Sequence, residues 1–413
     1  MRVAGIITEY NPLHRGHLRL VETIRRELGR DTAIVCCMSG DFVQRGDFAV
    51  VRRQARAKAA VMSGADLVLE LPLLQALSSA EGFAEGGVGL LLATGLTDAI
   101  VFGSERGNIK ALQEAAAVLL RENFSAALRE ELAAGVPYPS AMQRAVCKLA
   151  GPVVADALSR PNDLLGVEYC KALLRRSSRV RPMAVLRVGA PHGAEAEPSD
   201  GASASSGAVR ALLRRGEREA ALSRMAPAMR ACYLEEEAAG RAPVFYETVE
   251  RAALWRLRSM SRADFAALDG GREGVANRLY AASRNAVSVR EVLERAKTKR
   301  YPLSRLRRLT LRAFLGLTDA DASRRPAYLR PLAANAVGRK LLARMRDCAA
   351  LPVLTKAADA PALGAEAEYL LRLEARAADL YALAFPDTAA ASGGAVWKEP
   401  PFIADASFGK DVP

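Results

Sequence analysis

Residues 2–17 read RVAGIITEYNPLHRGH, and this stretch decides the predicted fold. Its apolar run from Val3 to Ile7 is short enough for a buried parallel strand, and a polar elbow follows the run. The elbow ends in His14 and His17, where a helical pattern begins. Ligands collect at the carboxyl edge of a parallel sheet, and a helix N-terminus there attracts phosphate. Two imidazoles at that edge can stabilise charge on an attacked phosphate, so the motif predicts nucleotide chemistry; the alternative is a chance match on a surface turn.

Further apolar runs at residues 32–38, 65–72, 98–105 and 185–189 predict strands that alternate with helices. This alternation indicates an α/β fold, in which a Rossmann-like N-terminal domain with a parallel sheet occupies residues 1–215. From about residue 216 the strand-like runs give way to long segments with helical periodicity. The sequence therefore predicts a second, mainly α-helical region over residues 216–413.

Composition limits the classes of protein that this chain can represent. Its 413 residues are half hydrophobic and a quarter charged, and 59 basic against 46 acidic residues give a net charge of +13. We find no long uncharged apolar run and no signal-peptide pattern, so we expect a cytoplasmic protein without a membrane partner. The positive charge favours a polyanionic partner such as RNA, and no protein partner is evident. The six cysteines lack metal spacing, so no metal site is predicted.

Loops and helix starts beyond the first strand supply further candidates. The glycine-bracketed loop SGDFVQRGD (39–47) follows a predicted strand and is expected to carry function. On the next helix, Arg52 and Arg56 either form a solvated face or contact phosphate. Gly103 either brings the backbone close to a nucleotide or makes a turn. A serine-rich helix start followed by Arg210 would suit a triphosphate tail, although such serines also cap helices.

The most basic window lies in the predicted helical region. Residues 295–312 contain eight Lys or Arg and no acid, with Tyr301 at the centre. On a helix, Arg305, Arg308 and Arg312 would share one face. A basic face beside an aromatic ring is typical of RNA binding, and the alternative is a solvated helix face.

Seven stretches occur in the order found in one family, and together they span most of the chain. They are GIITEYNPLHRGH (5–17), MSGDFVQRGD (38–47), GADLVLELP (64–72), FGSE (102–105), RPNDLLGVEY (160–169), REGVANRL (272–279) and KTKRYPLSRLRR (297–308). This set resembles the tRNA(Met) cytidine acetate ligases of the HIGH-motif nucleotidyltransferase superfamily. The FVQRG loop and the KTKRY segment make the resemblance specific, because HxGH alone indicates only the superfamily.

The resemblance implies a two-step reaction. Acetate attacks the α-phosphorus of ATP to give acetyl-adenylate and pyrophosphate, and N4 of the wobble cytidine of elongator tRNA(Met) then takes the acetyl group. The implied co-substrates are ATP, which we expect to carry Mg²⁺, and acetate. Two alternatives remain open: an adenylyltransferase acting on a small phosphorylated metabolite, and a catalytically weakened tRNA-binding paralogue.

The resemblance also implies roles for individual residues. It assigns catalysis to His14 and His17. The implied ATP contacts are Ile7, Thr8, Glu9, Tyr10, Asn11, Pro12, Leu13, His14, Arg15, Gly16, His17, Leu18, Arg19, Leu20, Gly103, Asn162 and Arg187. The candidates near acetate are Gln44 and Arg45. The candidates for tRNA binding are Lys297, Lys299, Arg300, Tyr301, Arg305, Arg308 and Arg312.

Three positions depart from the family pattern. Arg15 stands where the family usually has Asn, and Ala190-Pro-His192 replaces a Gly-Tyr-His pattern. Gly207 occupies a position where Thr is expected, which removes one contact to the γ-phosphate unless Ser206 substitutes for it. These departures leave room for an altered acyl substrate or a weakened activity.

Overall fold

A seven-stranded, mostly parallel sheet forms the centre of the computed structural model, which describes residues 1–187, 205–271 and 274–404. The strands are β1 (Val3–Thr8), β2 (Ala33–Ser39), β3 (Phe42–Val43), β4 (Asp47–Phe48), β5 (Leu67–Leu71), β6 (Ala99–Ser104), β7 (Arg181–Leu186), β8 (Pro331–Ala334) and β9 (Phe402–Ile403). The sheet order is β7-β6-β1-β2-β5-β8-β9, and β3 pairs with β4 in a separate hairpin. In the sheet only β8 on β5 is antiparallel.

Helices pack around this sheet and form most of the C-terminal half. The first twelve are α1 (Arg15–Leu28), α2 (Arg53–Met62), α3 (Leu73–Ala76), α4 (Ala80–Ala93), α5 (Ile109–Leu119), α6 (Phe124–Ala133), α7 (Tyr138–Ala150), α8 (Pro152–Asp156), α9 (Pro161–Arg175), α10 (Ser206–Arg214), α11 (Arg218–Arg224) and α12 (Pro227–Ala238). The remainder are α13 (Glu250–Ser259), α14 (Arg262–Ala266), α15 (Val275–Asn285), α16 (Val289–Ala296), α17 (Leu303–Leu315), α18 (Asp319–Ala322), α19 (Ala336–Cys348), α20 (Ala365–Ala382) and α21 (Ala395–Lys398). Short 3₁₀ helices occupy Tyr246–Val249, Ala357–Leu363 and Thr388–Ala390. None of the described helices is both long and apolar enough to cross a bilayer.

The central strands are buried on both faces, which explains their continuous apolar sequences. Every residue of β1 and β2 is buried, and the two strands pair in parallel from Val3–Ala33 to Thr8–Met38. The chain proceeds from β1 outward to β5 and then returns to the other side of β1 as β6. The strand order therefore reverses beside β1, and a reversal of this kind creates a crevice at the carboxyl edge.

The architecture confirms the predicted α/β class with a parallel sheet. Strands β1, β2, β5 and β6 begin and end within two residues of the predicted runs. Strand β7 lies earlier than predicted, and Val188 and Gly189 of that run fall outside the described residues. The prediction that strands stop after residue 216 is wrong, because β8 and β9 extend the sheet beyond β5. The division at residue 215 stays a prediction.

Arg56 braces two loops at the carboxyl edge of the sheet. The side chain is fully buried, and its guanidinium donates to four backbone carbonyls. Nε donates to Val51 O at 2.8 Å, and Nη1 to Glu9 O at 2.5 Å and Ser39 O at 3.2 Å. Nη2 donates to Gly40 O. One side chain thus joins the elbow after β1 to the loop after β2.

The other arginine of this pair, Arg52, is also engaged within the protein. Its Nε lies 2.6 Å from Glu236 Oε2, and its Nη1 lies 2.5 Å from Glu399 Oε1. Arg52 and Arg56 are therefore neither a solvated helix face nor phosphate contacts. Both predictions assumed that a charged side chain on a helix points outward. Arg52 and Arg56 instead form hydrogen bonds and ion pairs that hold loops and helices together.

Replacing Arg56 by Met should destabilise the fold strongly. The change would remove four hydrogen bonds from buried carbonyls, and each such loss costs about 1–3 kcal/mol. We expect urea unfolding to show a loss of about 3 kcal/mol or more. The exposed Arg30→Met control should stay within about 0.5 kcal/mol of the parent. Equal stability of the two variants would contradict the bracing role.

Candidate active site

A pocket opens at the carboxyl edge of β1, β6 and β7, where the strand order reverses. Most of the predicted nucleotide and acetate residues line it: Ile7, Thr8, Glu9, Tyr10, Asn11, His14, His17, Leu20, Gln44, Arg45, Gly103, Asn162 and Arg187. The other predicted ATP contacts lie in the elbow and in the first turns of α1 without lining the pocket: Pro12, Leu13, Arg15, Gly16, Leu18 and Arg19. The fold thus gathers residues from distant parts of the chain into one cavity.

His14 and His17 form the start of α1 through reciprocal hydrogen bonds. His14 Nδ1 accepts from Gly16 N at 3.0 Å, and His17 Nδ1 accepts from His14 N at 3.2 Å. Together they make a capping box with imidazoles in place of the usual hydroxyl and carboxylate. The two imidazole centroids lie 3.9 Å apart, and the ring centroids of Tyr10 and His17 lie 5.0 Å apart in an edge-to-face arrangement.

These contacts determine the chemistry of both rings. A ring nitrogen that accepts a hydrogen bond carries no proton, so each neutral imidazole carries its proton on Nε2. Both rings line the pocket. The helix cap therefore orients two Nε2–H donors at the start of a helix, where the helix dipole also attracts phosphate.

The start of α10 is anchored to the elbow. Arg210 Nη1 donates to Asn11 O at 2.6 Å, and Ser206 Oγ donates to Pro12 O at 3.0 Å. Ser205 caps the helix by accepting from Ala208 N. The pocket is lined by residues 205–207 and Arg210, so the helix start that sequence analysis connected with a triphosphate tail lies in the cavity.

Burial shifts the pKa values of charged groups around the pocket. Burial lowers the pKa of Arg210, although Asp47 and Glu9 partly oppose the change. Burial likewise lowers the pKa of Arg187, against the opposing effect of Glu105. The Glu9 carboxyl has a raised pKa because it is desolvated, which outweighs a hydrogen bond from Gln44 and three nearby arginines. Buried cations without full compensation favour an anionic ligand.

The far wall of the pocket comes from β6, α9 and the residue after β7. A Cβ on Gly103 would lie 3.1 Å from Arg187 Cγ, so glycine allows the arginine to lie across the strand. Asn162 Nδ2 donates to Glu105 Oε1 at 2.6 Å, and Asp163 N donates to Glu105 Oε2 at 2.9 Å. Asn162 thus helps to secure the start of α9 while its side chain lines the pocket.

The loop at Gln44–Gly46 connects the pocket to the helical region. Gln44 N donates to Glu9 Oε1 at 2.7 Å, and Arg308 Nη1 donates to Gln44 O at 3.4 Å. Gly46 has φ +74°, and a Cβ there would lie 2.5 Å from Arg308 N. The loop is therefore held between the elbow and the backbone of α17.

The predicted RNA-binding window is only partly exposed. Lys297, Lys299 and Arg300 are exposed, whereas Tyr301 is 6% exposed and packs in the core of the helical region. Tyr301 therefore does not place an exposed aromatic ring beside the basic face. Its central position in a basic segment gave no signal that the ring turns inward.

The three arginines of the predicted basic face have separate environments. Arg305 lies over the Tyr301 ring, and its Nη2 is 3.7 Å from Asp269 Oδ2. Burial, reinforced by its two arginine neighbours, lowers the pKa of Arg308 to about 10. Arg312 Nη2 donates to Thr318 O at 2.5 Å. The face is positive but half-buried.

The apolar lining of the pocket could not be predicted from the sequence. Phe83, Phe102, Leu165 and Tyr169 contribute to the pocket wall, yet their spacing resembles that of ordinary core residues. Of the three departures, Arg15 is exposed and Gly207 lines the pocket. His192 lies outside the described residues.

The fold and the site define a class of protein, and comparison with known families agrees. A model described as HIGH Nucleotidyl Transferase matches residues 1–394, and the chain belongs to this family. It is 34% identical over 408 residues to the tRNA(Met) cytidine acetate ligase of Acetivibrio thermocellus, covering 95% of this chain and 98% of that protein. The ligase of Fervidobacterium nodosum is 35% identical over 364 residues, covering 86% and 84%. Within the HIGH nucleotidyltransferases, the chain belongs to the tRNA(Met) cytidine acetate ligases.

Solved structures of a relative agree with this assignment. The crystal structure of Thermotoga maritima TmcAL bound with alpha-thio ATP matches with a TM-score of 0.89 and 32% identity, covering 98% of this chain and 99% of that one. The apo form of the same protein matches with a TM-score of 0.91.

Proposed function

We propose that this chain is an ATP-dependent ligase that activates acetate and acetylates N4 of the wobble cytidine of elongator tRNA(Met). An acetate oxygen attacks the α-phosphorus of ATP, the bond to the β-phosphate oxygen breaks, and pyrophosphate leaves. The cytidine amine then attacks the acetyl carbon, loses a proton and releases AMP. Adenylation is required because a free carboxylate is a poor acyl donor.

The observation that carries the proposal is the histidine pair. His14 and His17 use Nδ1 to begin α1, which leaves Nε2–H as the donor of each neutral ring in a pocket at the reversal of strand order. Donors held in place before reaction stabilise charge on phosphate oxygens without reorganisation. The main role of the protein is then to align acetate with the α-phosphorus.

The remaining pocket residues take complementary roles in this proposal. Arg210 and Arg187 offset the negative charge of the triphosphate, and Ser206, next to Gly207 in the pocket wall, replaces the γ-phosphate contact that Gly207 lacks. Gln44 and Arg45 are the candidates near acetate. Among the described residues, no cluster of His, Cys, Asp and Glu is arranged to hold a metal ion, so Mg²⁺ would enter bound to the triphosphate.

Labelled pyrophosphate exchange into ATP tests the first step. We expect exchange that depends on acetate and does not need tRNA, followed by N4-acetylcytidine in tRNA(Met) when tRNA is supplied. Exchange that requires a phosphorylated metabolite in place of acetate would indicate the adenylyltransferase. Binding of ATP and tRNA by folded protein without any exchange would indicate the weakened paralogue.

Two substitutions at His17 separate its capping role from its proposed catalytic role. His17→Asn keeps a side-chain acceptor near the position of Nδ1 but removes the donor at Nε2. We expect stability close to that of the parent and an exchange rate lowered about 100-fold or more, as for loss of one donor to a developing anion. His17→Gln keeps a donor near Nε2 and should retain more activity than His17→Asn. The reverse order of activities would contradict the Nε2 assignment.

Substitution of Gly46 tests whether the loop at Gln44–Gly46 positions acetate. Gly46→Ala would place Cβ 2.5 Å from Arg308 N and displace the loop. Gly135→Ala is a matched control, because Gly135 has φ +78° and nothing lies within 4 Å of its Cβ position. Both changes impose a similar backbone cost, about 1–2 kcal/mol. We expect only Gly46→Ala to lower acetate-dependent exchange, by about tenfold or more. Equal exchange rates in the two variants would contradict the proposal that this loop positions acetate.

A further inference from the structure

An exposed tryptophan lies in the helical region, apart from the predicted RNA-binding window. Trp255 on α13 is 71% exposed, and Val287 between α15 and α16 is 76% exposed. The opposite side of α13 is anchored in the core by Leu254 and Leu257. We refer to Arg251, Trp255, Arg258, Arg284 and Val287 together as the Trp255 patch.

Hydrogen bonds place the members of the Trp255 patch side by side. Arg258 Nη2 donates to Ala286 O at 2.7 Å, directly before Val287. Arg284 donates to Arg258 O through Nη1 and to Met260 O through Nη2. Arg251 lies one helical turn before Trp255, and Arg258 lies one turn after it on the same side of α13.

The patch carries a net positive charge, although the carboxylate of Glu291 accepts from Val287 N at 2.8 Å and pairs with Arg295. The guanidinium groups of Arg258 and Arg284 donate to main-chain carbonyls, which carry no net charge, and Arg251 forms no ion pair within the described ranges. The nearest acid on α13, Glu250, is partly buried and accepts from Val289 N at 2.9 Å. A large exposed aromatic surface surrounded by uncompensated arginines favours a ligand that is both flat and anionic.

The patch adjoins the helix that packs against the catalytic pocket. Arg256 Nε donates to Ala313 O at 3.3 Å, so α13 packs on α17. The backbone of α17 also contacts the Gln44–Gly46 loop at the pocket. The pocket and the patch are therefore connected through the packed helices α13 and α17.

We propose that the Trp255 patch binds an unpaired nucleotide of the acceptor RNA, with the base stacked on Trp255 and the neighbouring phosphates on Arg251, Arg258 and Arg284. This inference rests on the proposed function, because the RNA is the tRNA that receives the acetyl group. Unpaired bases stack on exposed aromatic rings, whereas paired bases in a helix cannot. A second copy of the chain is the other possible occupant, and the like charges of two such patches would oppose that contact.

Fluorescence can detect this stacking directly, because the chain has two tryptophans, Trp255 and Trp397. In Trp397→Phe the emission comes from Trp255 alone. We expect elongator tRNA(Met) to quench this emission saturably, with a midpoint equal to the Kd from filter binding. Unchanged emission at tRNA concentrations that saturate the filter assay would overturn the proposal.

Affinity measurements distinguish stacking from general electrostatic attraction. Trp255→Ala should weaken tRNA binding by about fivefold to a hundredfold, and Trp255→Phe should restore most of the loss. Arg251→Glu should weaken tRNA binding more than Arg121→Glu. The second change makes the same charge reversal at an exposed site on the catalytic half. Equal effects of the two reversals, or an unchanged Kd in Trp255→Ala, would overturn the assignment.

Two further readouts identify which hypothesis has failed if the results disagree. Acetate-dependent pyrophosphate exchange without tRNA should be the same in Trp255→Ala and the parent, because the patch lies outside the pocket. Loss of exchange in the parent itself would overturn the proposed function and leave the binding result standing. If Trp255→Ala converts a dimer to a monomer in sedimentation and leaves the Kd for tRNA unchanged, the patch is an interface between copies of the chain.

Discussion

A fully buried guanidinium determines how the candidate site is assembled. The carbonyls of Glu9, Ser39 and Gly40 stand at the carboxyl ends of two adjacent strands. Arg56 supplies donors to all three, although burial lowers its pKa and nearby Asp41 only partly opposes that shift. Without these donors the buried carbonyls would lack partners. Arg56 therefore ties the elbow after β1 to the segment at the end of β2, beside the pocket.

In the histidine pair, each side chain uses one ring nitrogen to begin the helix and leaves the other for the proposed contact to the ligand. Ser, Thr, Asp or Asn would begin a helix equally well through an oxygen acceptor. An imidazole adds a second nitrogen on the opposite side of the ring, and the cap determines the tautomer of that ring. His14 and His17 thus tie the formation of α1 to the orientation of two donors. A change that frays the helix start also misorients the phosphate contacts.

The sequence was sufficient to predict features that depend on local pattern. Strands β1, β2, β5 and β6 were predictable because burial on both faces requires continuous apolar runs. Strand β8, of four residues, pairs with β5, and β9, of two residues, pairs with β8; segments this short have no sequence pattern of their own. The inward turn of Tyr301 and the carbonyl partners of Arg56 depend on residues far away in the chain, which no local pattern encodes.

The Gln44–Gly46 loop contacts both the catalytic pocket and the helical region. Glu9 accepts from its amide, Arg308 donates to its carbonyl, and Gly46 rests against the backbone of α17. Gly46 can make this close contact because it has no Cβ and adopts a positive φ. Helix α17 in turn supports α13 and its exposed tryptophan through Arg256. The residues proposed to lie beside acetate are therefore joined by direct contacts, through α17, to the helix that carries Trp255.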